Sequence, residues 1–203
     1  MASKRLIGIG AMILAIILVV IAGCTIPEVT ELSIPTNDVQ IDENTTEYTI
    51  KGVSEPNASL TIYSLDIPYN VTADENGNFE YKLQIPVEAT ILDVTVIASK
   101  PGKIQALTII TINRPITPLE LNAEPISPDG RVTVNGVTDP HAAAVLNSQK
   151  LNLTRGSVNL DIKSDGTFSY STKIPGSESS VKIAVISQSK GKRVNSKTIT
   201  LSK

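Results

Sequence analysis

Alternation is the dominant signal along this chain. In residues 78–85, apolar side chains occupy positions 79, 81, 83 and 85, with polar ones at 78, 80, 82 and 84. A two-residue period turns one face of a strand towards a core and the other towards water. The same period runs through Leu92, Val94, Val96 and Ala98, and again through Val181, Ile183 and Val185. Thr108, Ile110 and Ile112 predict a last strand, as do Lys197, Ile199 and Leu201. Breaks fall at strand-sized intervals: Glu55-Pro56-Asn57, Glu75-Asn76-Gly77, Ile85-Pro86 and Lys100-Pro101-Gly102. No stretch after residue 24 carries a helical stripe. About seven short strands in roughly 85 residues is the pattern of a β-sandwich.

The pattern occurs twice. Tyr48-Thr-Ile-Lys-Gly52-Val-Ser-Glu-Pro56-Asn-Ala58 matches Val132-Thr-Val-Asn-Gly136-Val-Thr-Asp-Pro140-His-Ala142, an offset of 84. Asp74-Glu-Asn-Gly77-Asn-Phe79-Glu-Tyr81 matches Lys163-Ser-Asp-Gly166-Thr-Phe168-Ser-Tyr170 at an offset of 89. That second offset then holds through Pro86 and Pro175, Val96 and Val185, and Gly102 and Gly191. The second copy therefore carries five extra residues between the two matched segments. A fixed register over successive segments marks an internal duplication. The expected organisation is a first unit at 29–113, a linker at 114–118 and a second unit at 119–203, behind a tether at 24–28. Pro115 and Pro118 favour an extended, fairly stiff linker.

Residues 1–23 stand apart. Lys4 and Arg5 precede an uncharged run at 6–22 that ends in small residues. Two readings stand: a cleaved export signal, or a retained membrane helix with the basic pair on the cytoplasmic side. The end of the run, Ile21-Ala22-Gly23-Cys24, resembles the lipobox of prokaryotic lipoproteins. That resemblance implies that Cys24 accepts a lipid and becomes the new N-terminus.

Composition narrows the chemistry. The net charge of -2 and the 19% of charged residues exclude a polybasic nucleic-acid binder. One His, one Cys and no Trp exclude two-histidine catalysis, a disulfide and a Cys/His metal cage within one chain. His141 aligns with Asn57 at a turn, where a structural role is expected. Asp74-x-Asn76-x-Asn78 opens like a calcium loop, but position six is Phe79 and position twelve is Ile85, where an EF-hand needs Gly and Glu. A hairpin turn is expected there. No Gly-x-Ser-x-Gly and no glycine-rich phosphate loop is present. Four Asn-x-Ser/Thr sequons, at Asn44, Asn57, Asn70 and Asn152, are no more than composition supplies. Among the aromatics, Phe79, Tyr81, Phe168 and Tyr170 alternate on expected core faces. Tyr63 and Tyr69 flank an expected loop and are the candidates for glycan or small-ligand contact.

Gly-Val-Ser-Glu-Pro-Asn-Ala, Asp-Glu-Asn-Gly-Asn-Phe-Glu-Tyr and Val-Thr-Val-Ile-Ala-Ser together resemble the bacterial Ig-like domains of secreted and surface proteins. The second copy departs at Lys163, where the family has Asp, and at Ser187, where it has Ala. The resemblance implies an all-β fold of two tandem Ig-like β-sandwiches. It also implies a non-enzymatic spacer, adhesion or protein-interaction module with no catalytic residue to carry over; no metal or cofactor is expected. The expected location is the outer side of the cell membrane, reached through lipidated Cys24 or the N-terminal helix. The expected partners are envelope proteins or glycans, not nucleic acid. A glycan- or small-ligand-binding lipoprotein serving a transporter or envelope enzyme is the alternative.

Overall fold

The computed structural model describes residues 26–151, 153, 156–176 and 178–203. The segment at 1–23, with Cys24, lies outside them. The first half contributes eight strands: β1 (Leu32–Ser33), β2 (Asp38–Gln40), β3 (Glu47–Ser54), β4 (Ser59–Ser64), β5 (Ile67–Thr72), β6 (Asn78–Gln84), β7 (Ile91–Ser99) and β8 (Ala106–Asn113). The second contributes seven: β9 (Leu119–Ala123), β10 (Arg131–Thr138), β11 (Ala143–Asn147), β12 (Ser157–Asn159), β13 (Thr167–Lys173), β14 (Ser180–Gln188) and β15 (Asn195–Ser202).

In the first unit a three-stranded sheet, β1-β3-β6, faces a five-stranded one, β2-β8-β7-β4-β5. In the second, β13-β10-β9 faces β12-β11-β14-β15. Among the described strands pairing is antiparallel except for β2, which runs parallel to β8, and two isolated bridges, Val29 with Ile104 and Ile116 with Arg193, are also parallel. Each pair of sheets encloses its own apolar cluster. Ile50, Leu60, Ile62, Val94, Val96 and Ile110 centre the first, and Val132, Val134, Leu146, Phe168, Ile183 and Val185 the second. These are the inward positions of the alternating runs, so the period read from the sequence is the one that fills the cores. The fold is all-β, two immunoglobulin-type sandwiches in tandem.

The repeated motif is a folding device. Gly52 pairs across the sheet with Phe79, and Gly136 with Phe168. A Cβ on Gly52 would lie 2.6 Å from the Phe79 ring and 2.7 Å from the Ser33 carbonyl oxygen. The glycine thus leaves the space in which the ring lies over the backbone. Gly77 and Gly166 close the turns before these rings at φ +84° and +82°, where only glycine is unstrained. The departure at Ser187 is accommodated. Ser187 is fully buried, and its hydroxyl lies 2.7 Å from Thr138 Oγ1, which in turn donates to the Pro118 carbonyl.

Candidate functional site

The lipobox residues Ile21, Ala22, Gly23 and Cys24 fall outside the described residues. No helix among those described is long and apolar enough to cross a membrane. Tyr63 and Tyr69 lie on the two strands of the β4–β5 hairpin, Tyr63 opposite Pro68 and Tyr69 opposite Ile62, and so point to opposite faces of the sheet. Tyr63 is 39% exposed on the outer face. Tyr69 is opposite core residue Ile62 and stacks at a tilt on Tyr81, with ring centroids 5.2 Å apart. The two tyrosines therefore do not form one platform.

His141 and Asn57 both occupy the left-handed region, at φ 66° and 56°. That shared backbone state explains why one aligns with the other, since Asn and His tolerate it better than most side chains. Asp74 Oδ1 accepts hydrogen bonds from the backbone N–H groups of Asn76 and Asn78, each 2.8 Å. The bond from Asn78 leads the causes that hold its carboxyl below the ordinary value, and with the bonds from Asn76 and Gly77 it outweighs the opposing effect of burial. The carboxylate is spent on its own turn. Among the described residues no three His, Cys, Asp or Glu side chains converge as a metal site.

The densest polar constellation lies where the units meet, and it was not legible in the sequence. Arg114, the first linker residue, is fully buried. Its five N–H donors all reach main-chain carbonyls of the first unit. Nε donates to Ala89 (2.9 Å), Nη1 to Asp42 (2.9 Å) and Glu43 (2.7 Å), and Nη2 to Thr45 (2.8 Å) and Pro86 (3.3 Å). A guanidinium has five donors and no acceptor, so this set saturates it. The next linker residues belong to the second unit. Arg193 N donates to the Pro115 carbonyl, Thr117 N to the Arg193 carbonyl, and Ser189 N to Thr117 Oγ1. Arg193 Nε returns to the Arg114 carbonyl at 2.9 Å.

Lys192 clasps across this joint. Its ammonium lies 2.8 Å from Asp139 of its own unit and 2.9 Å from Glu43 of the first. Hydrogen bonds to Asp139 and then Glu43 raise its pKa. For Asp139, burial pushes the carboxyl up, but hydrogen bonds from Lys192 and Ser189 and the charge of Lys192 outweigh it and leave the pKa lowered. The first unit repeats the arrangement near its N-terminal end, where Lys103 lies 2.9 Å from Glu28 and 3.0 Å from Glu55. Beside the joint is an open cleft of about 390 Å³ lined in part by Glu88, His141, Gln188 and Lys190.

No family model matches the chain, and no curated protein does. Solved structures similar to it include a red sea bream transglutaminase, at 14% identity and a TM-score of 0.48, over 86% of this chain and 31% of that one. A bacterial ice-binding adhesin is 16% identical with a TM-score of 0.34, over 87% and 65%. A titin Ig tandem is 12% identical with a TM-score of 0.38, over 84% and 94%. The chain spans less than two thirds of the transglutaminase and of the adhesin. At these identities and TM-scores the likeness carries nothing about activity, substrate or partner.

Proposed function

We propose that the chain is a non-enzymatic, membrane-anchored surface protein in which two sandwich domains, 29–113 and 119–203, act as a coupled spacer and interaction module. The joint carries this reading. An enzyme needs a concave site with converging polar groups. Here the converging polar groups saturate one another inside a connection, with Arg114 locked into one unit and Thr117 into the other. Such a joint resists bending, which is the property a spacer needs. Anchoring rests on the basic pair, the uncharged run at 6–22 and the lipobox-like end at Cys24.

The anchor is tested by expressing the full chain and its Cys24→Ala variant and fractionating the cells. The wild-type chain is expected in the membrane fraction with an incorporated lipid label, and the variant without the label. Equal retention of both, with neither labelled, removes the lipid anchor and favours a membrane helix at 6–22.

A further inference from the structure

The outer face of the β2-β8-β7-β4-β5 sheet carries an apolar band that its counterpart in the second unit lacks. Across β7 and β8, Ile97 is opposite Leu107 and Thr95 opposite Ile109; Tyr63 of β4 is opposite Thr95. Leu107 is 60% exposed, Ile109 49% and Tyr63 39%. Ile186 and Ala184 of β14, which correspond to Ile97 and Thr95, are instead opposite Ser196 and Thr198 of β15. The same fold therefore tolerates hydroxyls at these two positions, and the first unit exposes Leu and Ile there instead. A contiguous apolar patch rimmed by polar groups marks an interaction surface, whereas a scattered exposed Leu does not.

The strand positions of this face carry two charges, Asp38 and Asp93, both beside Thr111 in one row at one end of the band. At the other end the row is Thr72, Ser59 and Ser99, all hydroxyl side chains. We propose that this face binds the same face of a second copy of the chain, across a two-fold axis lying in the interface at right angles to the strands. That axis lays the Tyr63–Ile109 row of one copy on the Ile97–Leu107 row of the other. It also sets each acidic row against the partner's hydroxyl row, whereas an axis along the strands would stack the carboxylates. A lipid surface is disfavoured by the two carboxylates and by the lack of Lys or Arg on these strand positions. Four strands of six to nine residues, roughly 20–30 Å long, and the three-residue β2, all about 4.8 Å apart, give roughly 500 Å² of face. Two such faces together reach the ~1,000 Å² total that a weak specific interface needs, and two-fold dimers are the commonest closed assembly. The proposal deepens the interaction-module reading and is independent of the anchor at Cys24.

The test is sedimentation of the full chain in detergent beside the Leu107→Ser/Ile109→Thr double variant, which takes the residues the second unit already has. Thermal unfolding establishes that both are folded. The wild-type chain is expected to dimerise at tens of micromolar, and the double variant to dissociate with a Kd at least tenfold higher. A monomeric wild-type chain, or a folded double variant that dimerises as the wild type does, overturns the proposal. The second outcome places the association on some other surface of the chain. Fractionation run in parallel keeps the readings apart: a membrane-bound monomer removes only the dimer, and an unanchored dimer removes only the anchor.

Discussion

Gly52 and Gly136 do the most for the fold with the least side chain. Each lies under a phenylalanine ring from the neighbouring strand, and an added methyl would meet both the ring and a carbonyl oxygen. Gly52→Ala is expected to cost about 1–3 kcal/mol, the usual range for forcing atoms into a filled core. Gly176→Ala, with nothing within 4 Å of an added Cβ, is expected to stay within about 0.5 kcal/mol. Urea unfolding of both variants measures the difference. The repetition of these glycines and phenylalanines was visible in the sequence, because duplication preserves identity. Their contact was not, because it depends on a register between strands 27 residues apart, Gly52 opposite Phe79. Arg114 was less legible still. An arginine beside a proline in a linker reads as solvated, and only the convergence of carbonyls from residues 42–45 and 86–89 makes a place for it.

Among the elements, the β4–β5 hairpin stores strain that a substitution can release. Leu65 and Asp66 form its two-residue turn with φ of 50° and 62°. Such a turn prefers Asn-Gly, since both positions lie in the left-handed region. Leu65→Asn/Asp66→Gly is expected to stabilise the first unit by about 1 kcal/mol, read as a shift of the unfolding midpoint. This hairpin explains why Tyr63 and Tyr69, on either side of a two-residue turn, are not a pair. Two-residue connections put 63 and 69 in different face registers, Tyr63 opposite Pro68 and Tyr69 opposite Ile62. The linker is the other decisive element. Arg114→Met leaves five carbonyls without their donor, and a loss of about 3 kcal/mol from the first unit is expected in chemical unfolding. Small-angle scattering should show a broader spread of inter-unit angles. Arg114→Lys is expected to rescue little, since an ammonium has three donors and no planar fork.

The molecule as a whole depends on pH through the clasp at Lys192. Asp139 has a folded pKa below its ordinary 3.8, so its contribution is present above that value and disappears as pH falls through the depressed folded one. Lys192 has a folded pKa above its ordinary 10.5, so its contribution is complete below 10.5 and disappears as pH rises through the raised one. Of the clasp's two contacts only Lys192–Glu43 crosses the joint, so scattering is expected to report a constant inter-unit arrangement below 10.5 and a looser one as pH rises through the raised lysine value, whereas acid that protonates Asp139 lowers the stability of the second unit. Lys192→Met should be loose throughout and flat with pH. Persistence of the wild-type arrangement in that variant would leave Arg114 as the whole joint.

The parallel placement of β2 beside β8 has a consequence for a protein under traction. Asp38, Val39 and Gln40 run alongside Thr111, Ile112 and Asn113 in the same direction. A pull that drags the start of the first unit away from its end draws these strands past one another lengthwise. Their rungs are then sheared together rather than peeled in turn, so the first unit would give way abruptly instead of fraying.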